Sequence, residues 1–216
     1  MLTLHTADLL VPGGPGQLCV PGGAVLVDGR EIGAVGPYED LAAAHPTARV
    51  RRWPGLLAPG LVNPYGPELL ERAYHPDPRE ADELGTEPIT GDDALATLGL
   101  TDARRGASAR RGVQRMLAHG TVAVAGGPLR PVVRDAVERS GLTVGARSAE
   151  PAGPPSLDPL AGRSLADAIL APLLPFAGRV ATFVVFDVPD GTALAERGAG
   201  SCVATVVAGR LLFRRR

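Results

Sequence analysis

The sequence predicts a mixed α/β (α+β) fold in which strands from the two ends share one sheet system around an inserted α/β segment. Three observations predict it. Apolar, Val- and Leu-rich runs sit at both ends of the chain, at residues 24–27 and 181–188. Between them, two helix-to-strand passages follow each other with short connections, 102–119 into 121–125 and 128–140 into 142–146, the pattern of a parallel unit. Finally, 28 glycines and 21 prolines in 216 residues divide the chain into short elements.

In order, residues 2–11 read as a strand stopped by Pro12-Gly13-Gly14-Pro15-Gly16. Residues 24–27 and 31–35 form a hairpin about Asp28-Gly29. Residues 38–44 read as a short helix, and 50–53 and 56–58 as extended pieces. Residues 57–63 enter the middle segment as its first strand. Residues 64–91 carry five prolines and read as an acidic loop, with a helical turn at 68–74. The helix at 102–119 is marked by the stripe Val113, Met116, Leu117, with Gly120 as its C′ residue. A second helix over 128–140 is stopped by Gly141. Residues 148–158 read as a linker and 160–174 as a helix. Strands then return at 181–188, 201–207 and 210–213, with a turn at 189–191 and a hairpin corner at Ala208-Gly209. The domain division expected is 1–60 plus 178–216 for the β part, 61–147 for the βα segment, and 148–177 for linker and helix.

Composition excludes several classes. Twenty-two basic residues oppose 23 acidic ones, for a net charge of −1, so a nucleic-acid binder driven by phosphate contacts is not expected. Hydrophobic residues make up 45% of the chain, which argues against disorder. No apolar run approaches membrane-spanning length, and the N-terminus lacks the basic and apolar regions of a signal peptide. A cytoplasmic protein with reduced thiols is expected, its cysteines Cys19 and Cys202 both buried and within reach of being neighbours. All basic residues are Arg, read as compositional bias. The tail Arg214-Arg215-Arg216 reads as a solvated terminus.

Four strings in order resemble the amidohydrolase superfamily, nearest imidazolonepropionase and aminodeoxyfutalosine deaminase. They are AVLVDGREIGAVG at 24–36, GLLAPGLVN at 55–63, MLAHGTVAV at 116–124, and FVVFD at 183–187 with VATVVAGR at 203–210. The resemblance implies a small composite β sandwich from both ends and a metal-dependent (β/α)₈ barrel inserted between them. It also implies zinc or a similar ion that activates water to hydrolyse non-peptide C–N bonds. The sequence departs from that pattern. Aligned on Asn63, the family's x-His-x-His metal ligands fall on Tyr65 and Pro67. A complete barrel takes roughly 200–250 residues, and the stretch from Asn63 to Ala181 holds about half of that. A truncated barrel-like arc of three strands is expected.

The remaining candidates carry bland readings. His119 sits at a helix C-terminus, where a protonated imidazole suits the dipole. His75 lies in the acidic loop, where Asp77, Glu80, Asp82 or Glu83 could join it around a metal. His5 and His45 read as structural, and Asp92-Asp93 as helix caps. Ser108, Ser140, Ser148, Ser156, Ser164 and Ser201 lack the G-x-S-x-G context. Gly126-Gly127-Pro128 reads as a tight strand-to-helix turn, with anion binding at the helix start as the alternative.

The function expected is that of a degenerate amidohydrolase-like protein with no catalytic or metal residues and no cofactor. It would act by binding or association: with itself through an open sheet edge, or with a related chain. One alternative is a C–N hydrolase acting on cyclic amides or aminopurines, its site completed by another chain or built from His75, His119 and nearby carboxylates. The other is a small-molecule-binding protein using the mouth of the arc near Asn63, Tyr65 and Gly126. No nucleic acid or membrane partner is expected.

Overall fold

The computed structural model describes residues 1–147, 149–175 and 178–215. The expected Ser148 at the linker start and Arg216 of the tail lie outside them. The chain opens with β1 (Leu2–Thr6) and β2 (Leu9–Leu10). The single strand expected over 2–11 is therefore two, in different sheets. It breaks at Ala7-Asp8 because the Asp8 carboxylate accepts from the Gly55 amide at 2.7 Å, fixing a corner. After β3 (Val20–Pro21), β4 (Gly23–Asp28) and β5 (Glu31–Pro37) make the expected hairpin. The closing pair is Asp28 with Glu31, so the two turn residues are Gly29 and Arg30, one place later than expected. Gly29 takes φ +59°, which only glycine adopts freely.

Helix α1 (Tyr38–Ala44) and β6 (Arg49–Arg52) follow, then β7 (Leu56–Pro59) and β8 (Leu61–Asn63). The expected strand over 57–63 is split at Gly60, and its halves enter different sheets. The expected acidic loop is structured: it holds α2 (Gly66–Leu70), β9 (Ala73–Tyr74), α3 (Ala81–Leu84) and β10 (Ile89–Thr90). It is held by Tyr74, whose hydroxyl donates to Glu80 at 2.6 Å, while Arg104 donates to both Glu80 (2.8 Å) and Tyr74 (3.2 Å).

Helix α4 (Asp92–Thr97) has Gly91 at its N-cap, so Asp92 and Asp93 sit in the first turn and do not cap by side chain. Helix α5 (Asp102–Leu117) is capped by Thr101, which accepts from Arg104 N. Its buried face carries Val113, Met116 and Leu117 as expected, together with Gly106, Ala109 and Gly112. Its C-cap is Ala118, so Gly120 lies two residues beyond the cap. Then come β11 (Thr121–Ala125), α6 (Pro131–Arg139), which begins three residues late at a proline in its first turn, and β12 (Thr143–Gly145). The helix expected over 160–174 is only α7 (Leu165–Ala168). Past it, Leu170 N donates to the Gly60 carbonyl and Leu173 N to the Pro12 carbonyl, so the chain runs as an extended tie between sheets. The chain ends with β13 (Phe183–Phe186), α8 (Gly191–Arg197), β14 (Cys202–Val207) and β15 (Arg210–Arg214). The turn expected at 189–191 starts α8, because Asp190 accepts from Ala193 N as its N-cap.

The main sheet has the order β15-β14-β13-β7-β2-β3, uniting strands from both ends of the chain. A second antiparallel and parallel sheet, β5-β4-β1-β6, covers one of its faces, and a three-stranded parallel sheet, β12-β11-β8, lies near the other with α5 and α6. No closed barrel forms among the described residues. Alternation explains the layering. In β13, Phe183 and Val185 enter the core shared with Val25, Val27 and Ile32, while Val184 and Phe186 enter the core shared with α5 and α6. Among the described residues, no helix is long and apolar enough to cross a membrane.

Candidate functional site

Parallel topology places three strand ends side by side: Asn63 at the end of β8, Ala125-Gly126 after β11, and Ala146-Arg147 after β12. Asn63 is fully buried. Its Oδ1 accepts from Tyr65 N at 2.9 Å, and its Nδ2 donates to the carbonyls of Ser156 (2.9 Å) and Leu157 (3.3 Å). The Tyr65 hydroxyl donates to the Ala152 carbonyl at 2.6 Å. The segment expected as a linker is thus fastened to the strand ends at Ala152, Ser156 and Leu157. Gly126 takes φ +110°, and a Cβ there would come within 2.6 Å of the Pro67 ring. Asn63, Tyr65 and Gly126 therefore gather at one place.

The expected histidines do not join them. His119 follows α5, at the opposite end of β11, and its Nδ1 donates to the Arg115 carbonyl of its own helix. His75 is buried, which corrects the surface-loop reading: Leu70 and Gly112 close over it. Its Nε2–H donates to the Leu69 carbonyl at 2.8 Å, its backbone N donates to Ser108 Oγ, and Nδ1 has no partner among the described residues. Burial holds this imidazole below its usual pKa, with the Leu69 bond opposing and Arg115 and Arg111 adding to the shift. The cysteines are not a buried pair. Cys19 is exposed and Cys202 buried, its thiol pushed up to about 11 chiefly by burial.

Sequence reasoning missed two arginines. Arg147 donates through Nη1 to the Pro64 carbonyl and Glu68, and through Nη2 to Glu150. These bonds, Glu68 first, hold its guanidinium more firmly charged than usual. Arg163 donates through Nη1 to the carbonyls of Val62 (3.0 Å) and Pro159 (3.2 Å). The available signal for Arg147 was its place directly after a parallel strand, where such folds collect binding groups. Around these residues a cleft of about 330 Å³ is lined by Tyr65, Ala125, Arg147, Pro151, Ala152 and Arg163. Beyond Arg147 a hollow of about 480 Å³ runs past Gly126 and Arg134.

The donor set does not suit the metal that the family resemblance implies. Pro67 has no side-chain donor and packs on Gly126, and the Tyr65 oxygen is engaged as a donor to a carbonyl. Among the described residues, no group of three His, Cys, Asp or Glu could hold an ion.

Residues 23–48 match the family described as "Imidazolonepropionase-like composite domain, bacteria". The resemblance to that composite domain is found where the first of the four strings lies. No curated protein matches the chain. Among solved structures, the ochratoxinase of A. niger is similar at 21% identity and a TM-score of 0.47, over 68% of this chain and 32% of that one. An adenosine deaminase from Xanthomonas campestris, described with bound zinc, gives 20% identity and 0.45, over 66% and 32%. The Helicobacter pylori aminofutalosine deaminase gives 14% and 0.44, over 75% and 37%. The chain spans about a third of the length of these proteins.

Tyr65→Phe is expected to lose about 1 kcal/mol of stability. It should also raise amide hydrogen exchange over residues 152–157, read by mass spectrometry, with little change in α5.

Proposed function

We propose that this amidohydrolase-like chain binds a small molecule in the strand-end cleft, without metal-dependent hydrolysis. The observation that carries the reading is the local chemistry at Tyr65 and Pro67. One position supplies no donor atom, and the other's oxygen holds the 149–157 segment in place. The cleft is lined by Tyr65, Arg147 and Arg163, whose flat ring and guanidinium planes suit stacking on a polar planar molecule even though the guanidinium nitrogens are already bonded within the chain.

Elemental analysis of protein purified without chelator tests the first half, with far less than one transition metal per chain expected. Thermal stabilisation by a panel of cyclic amides and aminopurine nucleosides, monitored together with their turnover, tests the second. A stabilised chain with no product supports binding. Stoichiometric metal with product formation overturns the reading and favours the C–N hydrolase alternative.

A further inference from the structure

Among the described residues, two of the open sheet edges carry opposite charge. The first is β6, the outermost strand of its sheet. Arg49 and Arg51 share one face of the strand, Arg52 lies on the other with Val50, and Val50 is 39% exposed. None of the three forms an ion pair among the described residues. Two aromatic rings frame the edge: Arg52 lies 4.7 Å over Tyr38, and Arg214 lies 5.8 Å over Trp53. The second edge is β10, the free side of a two-stranded sheet. Asp82 and Glu83 of α3 and Asp92 and Asp93 of α4, which flank it in the chain, are exposed and form no ion pair among the described residues. Glu87, 88% exposed, only approaches Arg115 at 3.7 Å.

Charged side chains alone are a common guard against edge pairing. A guard, however, works by repelling like edges, and here one chain carries both signs while its net charge is −1. We propose that a second copy of this chain docks its acidic 82–93 segment against the basic β6 edge, giving a head-to-tail contact. Because β10 is two residues long and follows Pro88, main-chain pairing adds few bonds. Charge then carries most of the contact, and salt should weaken it. A contact between two different surfaces leaves one of each kind free on every dimer, so assemblies grow with concentration unless they close.

Sedimentation velocity of the full chain at low and high salt tests this with two surface variants. Arg49→Glu/Arg51→Glu removes the basic side, and Asp92→Lys/Asp93→Lys removes the acidic side. Each variant alone is expected to self-associate at least about tenfold more weakly than the parent. Mixed in equal amounts, they should associate again, since the retained halves fit each other and the two reversed halves are themselves of opposite sign. Unchanged circular dichroism shows that both fold, and Arg49→Gln/Arg51→Gln should give an intermediate loss. A parent that stays monomeric at low salt overturns the proposal. So does association that ignores Asp92→Lys/Asp93→Lys, which would assign the basic edge to another occupant, or a mixture that remains monomeric.

Discussion

Gly60→Ala is expected to destabilise the folded chain by about 2 kcal/mol, seen as a lower urea midpoint with an unchanged slope. Gly60 is the point where the chain leaves the main sheet for the parallel one. A Cβ there would sit 2.4 Å from Val122 Cγ2 and 3.0 Å from Thr182 Cγ2, one on each side of the seam. Its carbonyl accepts from Leu170 N at 2.8 Å, which restrains the backbone from yielding. Alanine stiffens the unfolded chain and would by itself stabilise by about 0.4–1 kcal/mol. Overpacking of this severity outweighs that gain. Gly36→Ala is the control: among the described residues no atom lies within 4 Å of where its Cβ would be, and its φ is outside the left-handed region. It should shift the midpoint little. Equal midpoints for both variants would show that the seam is looser than its packing implies.

Acidification from pH 6.5 to 4.5 should remove stability steadily, and two buried imidazoles are the cause. His5 is 3% exposed, stacked against Trp53 and edge-on to Phe183. Trp53 Nε1–H donates to its Nδ1 at 3.1 Å, so that nitrogen must be bare. Burial first, and the Arg51 charge second, bring its pKa from 6.5 to about 4. The unfolded chain therefore takes up the proton first. Stability is complete above the unfolded value and falls as pH drops toward the folded one, by about 3 kcal/mol for His5 over the full span. His75 acts in the same direction. Glu80, held down to about 2 by Tyr74 foremost, loses its contribution only below the ordinary carboxylate range. The interval above pH 4.5 thus belongs to the histidines. His5→Gln keeps an acceptor for Trp53 and does not titrate, so its stability should fall less steeply with pH. Parallel profiles for parent and variant would show that His5 is not held neutral.

Local signals were legible where sequence neighbours decide the structure. The hairpin of β4 and β5 follows from its two apolar runs about Asp28-Gly29, and α5 follows from its stripe of Val113, Met116 and Leu117. Elements decided by distant partners were not. The corner at Asp8 depends on Gly55, and the loss of helix after α7 depends on carbonyls of Gly60 and Pro12. Helix α8 carried a readable cap in Asp190, hidden by the turn-like Pro189-Asp190-Gly191. At the site, Asn63, Tyr65 and Gly126 were legible because parallel topology aligns strand ends. His75 was misread because its sequence neighbours are acidic, while the groups that bury it, Gly112 and Leu70, come from helices α5 and α2. Arg147 was announced only by its place after a parallel strand, and the long-range bonds of Arg147 to Pro64 and of Arg163 to Val62 leave no mark in the local sequence.

Strand β7 has a consequence for synthesis. Leu56 and Ala58 point into one core and Leu57 into the other, and Leu56 lies opposite Phe186. As the chain emerges from the ribosome, β7 gains its β2 neighbour at once, but the other edge stays open until β13 has been made. Its two faces can be covered earlier, by β4 and β5 on one side and by α5 and α6 on the other, but its backbone edge toward β13 stays unpaired over that interval. Translation therefore passes through a long stage in which an apolar strand waits for its partner, a stage at which chaperones would find a ready target.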